Sequence, residues 1–448
     1  IAKHLHSKMS PAVSELPQPE RMQHANTRLD ATVHVAGTAA RWPGGASGGR
    51  ELAQLASSTH NAVGEVPATR WSVANNVRQP AERYMAFISN AEFFDAGVFA
   101  ISHAEASNMD PQQRLLLEMG YGALHNGGWD RSALVAHDVA VVVGIQATDY
   151  ASMTIATPVR TLSTYAMSGW TFSVAAGRLS YVLGMQGACY STDTACSTAL
   201  VAAHAATTMA RNAECEAALA LAVNLMLLPL GHLLVANAGM TSADGRCKFL
   251  DSRANGYVRS EGVGGVLLEP IRDESRTEKG DARLSGSAVR SDGRSASLTA
   301  PNGEAQVRLL RAAMTDGGVD AKGSTNEAHG TGTALGDPIE THALREAMKP
   351  SAPRGQLGLT GVKANAGHME PSAGMVGLLQ LSFTLQRWAI APNAQLREIN
   401  SHVSTSLEGT DVRLLPVQLG EVPAKEDHGV GGVSSFGYAG TIAHAALR

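Results

Sequence analysis

The sequence is poor in cysteine and in aromatic side chains. It has 4 cysteines among 448 residues, and aromatic residues make up 5%. No CxxC pair is present, so neither a zinc site nor a disulfide framework is predicted, and a reducing compartment fits best. Long basic runs are also lacking, since 36 Lys and Arg against 40 Asp and Glu give a net charge of −4. This balance argues against nucleic acid as a partner.

A hydrophobic run that would cross a membrane is lacking as well. The stretch 217–238 comes nearest, but Asn224, Pro229, Gly231 and His232 interrupt it. We expect this stretch to form a buried strand that runs into a loop, and no transmembrane segment is predicted. The opening residues show no secretory signal pattern, so they give no information on targeting.

The composition is that of a globular protein, with 44% apolar and 17% charged residues. At roughly 150 residues per domain, the length corresponds to two or three domains or to one large duplicated fold. Residues 1–30 are polar and are predicted to form an arm or linker. The charged run at 272–281 predicts a boundary between two halves, 31–279 and 280–448.

Short apolar runs alternate with helical segments in both halves. This alternation predicts an α/β fold with largely parallel sheets. The predicted strands are 139–145, 187–192, 217–228, 282–289 and 355–362, and the predicted helices are 198–209, 306–314 and 372–386.

Each half places a reactive side chain between a predicted strand and a predicted helix. These residues are Cys196 and His368, and the helix after His368 starts with Pro371, which suits the first turn of a helix. Open N–H groups at a helix N-terminus stabilise a thiolate, so we expect a depressed pKa for Cys196. The pattern predicts one site shared by both halves. A buried structural role is the alternative for Cys196, and it is the prediction for the other cysteines, Cys189, Cys215 and Cys247.

Two further segments carry imidazole, hydroxyl and glycine groups. In 327–333, His329, Thr331 and Thr333 lie around glycines that let the backbone approach a ligand closely. The phosphate-loop pattern G-x-x-x-x-G-K-[ST] is absent from this segment. The other segment places Lys363 five residues before His368 in a glycine-containing turn. A lone histidine is ordinarily structural, so these residues alone leave a catalytic and a structural role open.

Together these segments resemble the ketosynthase (β-ketoacyl synthase) domain of modular type I polyketide synthases, which belongs to the thiolase superfamily. The resemblance covers residues 31–448. It implies a five-layered α-β-α-β-α thiolase-like fold of two similar halves, and a homodimer with 109–118 near its interface. Its further motifs are WPGG at 42–45, VGEVPATRW at 63–71, MDPQQRLLLE at 109–118, AGRLSYVLG at 176–184, DGRCK at 244–248, LTAPNG at 298–303 and SSFGY at 434–438.

The resemblance implies catalytic roles for four of the matched residues. Cys196 corresponds to the acylated nucleophile, His329 and His368 to the pair that assists decarboxylation, and Lys363 to a supporting lysine. The implied reaction is decarboxylative Claisen condensation of an acyl thioester on Cys196 with a malonyl-type carrier-protein thioester. This is an acyltransferase activity that serves polyketide or fatty-acid chain elongation.

The resemblance also implies how the substrates are held. Tyr438 matches the gate beside an oxyanion hole formed by its own backbone and that of Cys196, and Thr331 and Thr333 match positions that meet a phosphopantetheine arm. No metal or other cofactor is expected, because the sequence has neither metal-ligand spacing nor a nucleotide loop. The resemblance implies that an acyl carrier protein delivers the substrates on its phosphopantetheine arm. Lone ketosynthases of this kind resemble those of some microalgae, so cytoplasm and plastid stroma are both open as locations.

Five residues depart from the family pattern: Ala366, Pro371 and Ser372 beside His368, and Tyr438 and Ile442 further along the sequence. Ala366, Pro371 and Ile442 are the unusual ones. Because of these departures, a catalytically silent structural or scaffolding subunit is the alternative function.

Overall fold

The computed structural model of the protein describes most of the chain. It covers residues 32–71, 82–158, 162–271, 282–319, 324–348, 357–408, 415–421 and 429–448. The predicted arm at 1–30 and the predicted boundary between residues 279 and 280 lie outside the described residues.

The described residues contain strands and helices in alternation. The strands are β1 Val33–Arg41, β2 Gly64–Glu65, β3 Tyr84–Met85, β4 Val139–Ile145, β5 Cys189–Thr192, β6 Ala217–Asn224, β7 Gly262–Pro270, β8 Arg283–Ser291, β9 Thr325–Glu327, β10 Gly358–Thr360, β11 Ala389–Ile390, β12 Gly420–Glu421, β13 Gly431–Phe436 and β14 Thr441–Leu447. The helices are α1 Gly49–Ser57, α2 His103–Ala106, α3 Pro111–Asn126, α4 Arg131–Leu134, α5 Asp149–Ile155, α6 Ala166–Trp170, α7 Phe172–Leu183, α8 Thr198–Arg211, α9 Leu230–Asn237, α10 Gly303–Asp316, α11 Gly336–Ala347, α12 Lys363–Ala366, α13 Ala373–Arg387 and α14 Ser401–Leu407.

Ten strands form one sheet that consists of two similar halves. Their order is β10-β9-β13-β14-β8-β1-β7-β6-β4-β5, so each half repeats the same five-strand arrangement about the centre. In each half, three adjacent strands pair in parallel (β5, β4 and β6; β10, β9 and β13), and the two strands that follow them in the sheet (β7 and β1; β14 and β8) pair antiparallel. The prediction of largely parallel sheets is therefore wrong for β1, β7, β8 and β14. In the described part of the chain, β1 and β8 join the halves through two pairs, Val33 with Leu284 and His34 with Arg283.

Helices cover both faces of each half-sheet. Every residue of β4 is buried, and alternate side chains enter different apolar clusters. Val141 packs with residues of α3 and α7, whereas Val142 packs with residues of α8. On the far side, α10 packs against β8 and β14, and α11 packs against α10. Helices α8 and α13 lie between the half-sheets, which gives the predicted α-β-α-β-α order of layers.

The central layer belongs to both halves. Its helix α8 is rich in alanine, and these small side chains let both half-sheets approach it closely. One buried apolar cluster contains Ala140, Val142, Ala218 and Ala220 of the first half together with Val376, Leu378, Val433 and Ala443 of the second. Each fully buried Val or Leu contributes about 1.5–3 kcal/mol through removal of its side chain from water. The inner face of each half-sheet is therefore stabilised by residues of the other half.

The stretch 217–238 differs from its prediction. Strand β6 ends at Asn224, and Leu230–Asn237 forms helix α9 in place of the expected loop. His232 and Ala236, four residues apart, form the buried side of α9, whereas Leu230 and Leu234 are 56% and 61% exposed. A surface helix with one narrow buried side carries too weak a pattern for prediction. Among the described residues, none of the helices is both long enough and apolar enough to span a membrane.

Candidate active site

Cys196 lies in the connection between β5 and α8. The preceding residue, Ala195, has a left-handed backbone with a φ of 56°, which is costly for a residue other than glycine. Two hydrogen bonds hold it there: its N–H donates to Oδ1 of Asp193 at 2.9 Å, and Oγ1 of Thr198 donates to its carbonyl at 2.6 Å. The turn places Cys196 in the wall of a cavity of about 510 Å³.

His368 occupies the corresponding position in the second half, after β10 and before α13. Its Nε2 lies 3.0 Å from Sγ of Cys196. The His368 backbone is held by the connection that leads into β7: its N–H donates to the Val258 carbonyl at 2.7 Å, and its own carbonyl accepts the Ser260 N–H at 2.9 Å. The structure thus brings together the two reactive residues that the sequence singled out, one from each half.

His329 completes the group of reactive side chains. Its ring centroid lies 5.6 Å from that of His368, with an angle of 87° between the ring planes. Its Nδ1 accepts the backbone N–H of Phe436 at 3.4 Å, which assigns the ring proton to Nε2. The Glu340 carboxylate accepts the N–H groups of His329 at 2.6 Å and Gly330 at 2.9 Å, so the turn after β9 is held rigidly.

The two imidazoles are held differently. His329 has its Nδ1 occupied, but Nδ1 of His368 is buried and has no hydrogen-bond partner among the described residues. The neighbours of His368 therefore leave both of its tautomers accessible, whereas those of His329 favour one.

Tyr438 lies in the short turn between β13 and β14. Its backbone N–H and that of Cys196 both approach Sγ of Cys196. A side chain at Gly437 would collide with the carbonyl of Thr194, so this turn packs directly on the nucleophile loop. Oγ of Ser435 also donates to the Cys196 carbonyl at 2.6 Å. The Tyr438 side chain is 50% exposed at the cavity wall.

Thr331 and Thr333 line the same cavity, which places them within reach of a ligand bound at Cys196. Gly332 between them has a φ of 76°, and a Cβ there would collide with the backbone of Lys248. The segment therefore requires glycine at this position to lie against its neighbours.

Lys363 sets the electrostatics of the site from a buried position. It is 2% exposed, and burial lowers its pKa, against which the charges of Glu327 and Glu340 act. Burial lowers the pKa values of His329 and His368 far below the ordinary range, and the charge of Lys363 adds to this shift. Both imidazoles are therefore neutral at neutral pH.

The thiol of Cys196 does not have the depressed pKa that the sequence predicted. Burial raises its pKa to about 12, and the charge of Glu370 adds to the shift. Lys363 and the N–H groups of Tyr438 and Cys196 act in the opposite direction but are weaker. Helix α8 begins only at Thr198, so desolvation of Sγ outweighs the helix terminus. The resting thiol is neutral and lies beside a neutral imidazole.

Sequence reasoning missed three residues beside the site. The Tyr257 ring lies 5.0 Å from that of His368 at an angle of 87°. Arg259 donates two hydrogen bonds of 2.7 Å to Glu370, which has a left-handed backbone with a φ of 48°. These two partners are 111 positions apart, and no pattern within one sequence indicates such a pairing.

Comparison with protein families identifies the chain. The model "Beta-ketoacyl synthase, N-terminal domain" matches residues 30–274, and "Beta-ketoacyl synthase, C-terminal domain" matches residues 281–397. The chain belongs to the β-ketoacyl synthase family.

Two curated mycobacterial relatives are polyketide synthases. A phenolphthiocerol/phthiocerol polyketide synthase of Mycobacterium tuberculosis is 38% identical over 438 residues, which are 95% of this chain and 23% of the relative. A type I polyketide synthase of phenolphthiocerol synthesis from Mycobacterium marinum is 37% identical over 442 residues, which are 96% of this chain and 20% of the relative. The chain thus spans less than a quarter of the length of these relatives.

Solved ketosynthase structures share the fold. The ketosynthase from module 6 of the bacillaene synthase of Bacillus subtilis 168 aligns with a TM-score of 0.83 at 30% identity, covering 93% of this chain and 72% of that one. An oxazolomycin ketosynthase domain of Streptomyces albus JA3453 aligns with a TM-score of 0.83 at 29% identity, covering 93% and 74%. The predicted family and thiolase-like fold are confirmed. This chain is a ketosynthase of the polyketide synthase type, a condensing enzyme, and none of these comparisons favours a silent subunit.

Proposed function

We propose that this ketosynthase is an acyltransferase that joins an acyl group on Cys196 to a malonyl-type thioester by decarboxylative Claisen condensation. The observation that carries the proposal is the 3.0 Å contact between Sγ of Cys196 and Nε2 of His368, in the cavity that His329 also lines. A neutral imidazole at this distance is placed to accept the thiol proton as the sulfur attacks.

Acylation of Cys196 is the first step. Sγ attacks the thioester carbonyl while its proton passes to Nε2 of His368, and the carrier thiol leaves with a proton. The carbonyl oxygen becomes negatively charged in the intermediate, and the N–H groups of Cys196 and Tyr438 stabilise this charge. Each such donor lowers the barrier by on the order of 3 kcal/mol.

Decarboxylation and condensation follow at the same place. The carbonyl oxygen of the malonyl thioester accepts hydrogen bonds from Nε2–H of His329 and from Nε2–H of His368 in its other tautomer. The bond to the carboxylate then breaks, carbon dioxide leaves, and the electron pair forms an enolate. Its carbon attacks the acyl carbonyl on Cys196 and forms the new carbon–carbon bond, the carbon–sulfur bond breaks, and the released Cys196 sulfur takes up a proton from solvent.

Lys363 supports both histidines without contacting substrate in this proposal. Its charge adds to the burial that keeps the rings neutral. A neutral His368 can accept the thiol proton, which an imidazolium cannot do. Lys363 is therefore a positioning residue, which acts on the two histidines through its charge.

We also propose that no metal or other cofactor takes part, and that an acyl carrier protein delivers both substrates. Thr331 and Thr333 would then donate or accept hydrogen bonds along the phosphopantetheine arm. Among the described residues, no cluster of three or more His, Cys, Asp or Glu side chains is arranged to hold a metal. Condensation should therefore survive EDTA and dialysis, and loss of activity that a divalent ion restores would contradict this part of the proposal.

The homodimer is a further part of the proposal. Strand β5 is an edge strand of the main sheet, and its Cys189 and Tyr190 are exposed. Tyr181 and Met167 are 87% and 75% exposed as well. An open edge with apolar side chains favours pairing with a second copy, and native mass spectrometry would test this.

The cellular location stays a prediction: the relatives cited above are bacterial, and they give no support to a plastid.

The departures from the family pattern do not disrupt the site. Ala366 is fully buried in α12, and Pro371 lies in the turn before α13. Ile442 is fully buried in an apolar cluster against which Phe436 packs. These residues pack in the interior, and none of them replaces Cys196, His329 or His368.

Intact mass spectrometry after incubation with an acyl thioester tests the proposed function. One acyl adduct per chain is expected in the wild-type protein, and none in Cys196→Ala. Cys189→Ala is the matched control, because Cys189 is a free and exposed cysteine outside the cavity. It should keep the full adduct. No adduct on the wild-type protein would favour the scaffolding alternative.

A further inference from the structure

One part of the cavity wall carries two polar side chains that the proposed reaction does not use. Asp292 directly follows β8, and Gln306 lies near the start of α10. Both line the cavity that contains Cys196 and His329.

Both side chains are buried and incompletely satisfied. Asp292 is 8% exposed and Gln306 is 1% exposed. Within the described residues, neither Oδ1 of Asp292 nor Oε1 of Gln306 has a hydrogen-bond partner. Buried acceptors in native proteins nearly always have a donor, because leaving one unpaired is costly. Two such acceptors in the wall of one cavity indicate that a ligand supplies the donors.

Asp292 is held in place for such a contact. Its N–H donates to the Gly440 carbonyl at 2.8 Å, and Nδ2 of Asn302 donates to its carbonyl at 2.7 Å. The backbone N–H of Asn302 also donates to the carboxylate. The side chain is therefore preorganised, so a ligand does not have to order it.

We propose that Asp292 and Gln306 form a polar subsite that accepts hydrogen bonds from hydroxyl or amide N–H groups of the thioester substrate. This inference rests on the proposed function, because it names groups that the same cavity would recognise. Leu335 and Phe436 also line the cavity and offer no side-chain acceptor for a donor placed against them, and the thioether of Met240 offers only a weak one. Two sources present the required chemistry: a hydroxyl group on the acyl chain, or the amide groups of the phosphopantetheine arm.

Rates of Cys196 acylation, measured by intact mass spectrometry, separate these sources. The first pair of substrates is butanoyl- and 3-hydroxybutanoyl-N-acetylcysteamine, which differ by one hydroxyl group. The second pair is butanoyl-N-acetylcysteamine and butanoyl-pantetheine, which differ by the second amide group and the two hydroxyl groups of the pantetheine arm. We expect the wild-type protein to react about tenfold faster with the donor-rich member of at least one pair at subsaturating concentration.

Two variants and a matched control assign the preference to the subsite. Gln306→Met and Asp292→Asn each remove one acceptor, and each should reduce the preference about tenfold. Gln380→Met is the control: Gln380 is 3% exposed and has an unpartnered Oε1 among the described residues, but it does not line the cavity. It should keep the wild-type preference.

The outcomes are distinct. Loss of the preference in the hydroxyl pair identifies the acyl chain as the ligand, and loss in the amide pair identifies the arm. If the wild-type protein reacts at equal rates with both members of each pair, the proposed subsite is contradicted. An unchanged preference in folded Gln306→Met and Asp292→Asn proteins would also contradict it. If none of the thioesters acylates Cys196, the proposed function itself fails, which differs from acylation without discrimination.

Discussion

The two halves of the molecule share a strand order but divide the chemistry unequally. The first half supplies one reactive atom, Sγ of Cys196, whereas the second supplies both imidazoles and Lys363. The difference lies in the connections that follow equivalent strands. Cys196 follows β5, whereas Lys363 and His368 follow its equivalent β10, and His329 follows β9. The connections also differ in length: 437–440 joins β13 to β14 and carries Tyr438, whereas 225–261 joins β6 to β7 and holds the backbone of His368. A duplicated scaffold thus determines where reactive groups meet, and its loops determine which groups they are.

The largest effect is expected from removing the contribution of the first half. Cys196→Ala should abolish acyl loading, because no sulfur remains to form the thioester. Malonyl decarboxylation should persist, since both imidazoles still bind the enolate oxygen. Radiolabelled acyl loading and carbon dioxide release, measured separately, check this division. Loss of both activities in a folded variant would show that the halves do not act independently.

A smaller effect should separate the two imidazoles of the second half. His368→Ala is expected to slow acyl loading by about a hundredfold, because the thiol, whose pKa is raised, loses the base at 3.0 Å. His329→Ala should leave loading largely unchanged, since its ring proton is assigned to Nε2 and it serves as a donor. Both variants should lower condensation by roughly two to three orders of magnitude. Equal loading rates in the two variants would contradict the separate roles.

The charge of Lys363 should affect the rate of acyl loading less than the imidazole of His368 does, and mainly at low pH. Lys363→Met removes a positive charge that lowers the pKa of His368, so that pKa rises. Burial and the charge of Arg259 still keep that pKa below the ordinary value of histidine. Because acyl loading needs the neutral ring, its rate should begin to fall at a higher pH than in the wild type and should be unchanged at neutral pH. Loading rates from about pH 4 to pH 8 measure the shift.

Lys248→Met is the matched control for this experiment. Lys248 is also buried, at 3% exposure, but its Nζ pairs with Asp244. Its variant should keep the wild-type pH profile. A profile for Lys363→Met that moves to lower pH would be inconsistent with the electrostatic role.

The smallest effect concerns stability and involves a buried histidine of the second half. His444 on β14 donates to or accepts from Oγ of Ser434 at 2.9 Å, and burial lowers its pKa to about 3. The unfolded chain takes up this proton near pH 6.5, whereas the folded chain does not, so stability is lost as pH falls from about 6.5 toward 3. Between pH 7 and 5.5 this single residue should cost about 1 kcal/mol.

Urea unfolding at these two pH values measures the cost. The free energy of unfolding should fall by about 1 kcal/mol more in the wild type than in His444→Gln. His402→Gln, at an exposed position of α14, should behave like the wild type. An equal pH dependence in His444→Gln would show that this ring does not account for the loss.

Sequence reasoning found the reactive residues but not how they are tuned. Cys196, His329 and His368 stand in short segments next to strand and helix ends, where local patterns are informative. The pKa of the Cys196 thiol depends on protein atoms that surround it from both halves, which no local pattern contains. Of the antiparallel strands, β8 was predicted as a strand at 282–289, whereas β1, β7 and β14 were not. Strands β7 and β14 are buried on both faces, so they lack the alternation that marks a half-exposed strand.

The Arg259–Glu370 pair is a second feature that one sequence does not indicate. Each residue alone resembles an ordinary surface charge in sequence, and only the fold places both beneath the site. By contrast, the turn around Gly437 lies in a motif that resemblance to a family already identified. Motifs with a fixed local geometry are therefore predictable from one sequence, whereas partners joined across the layers are not.

The apolar cluster shared by both halves has a consequence during synthesis. When β7 leaves the ribosome, α8 can already cover the inner face of the first half-sheet, but 178 residues after Pro270 are still to come, including α13 and the strands of the second half that pack on the other side of α8. At about 5–20 residues per second, that side of α8 stays uncovered for roughly 10–35 s. The nascent chain therefore passes through an aggregation-prone stage whose length is set by translation speed, and slower translation of the second half lengthens its dependence on chaperones.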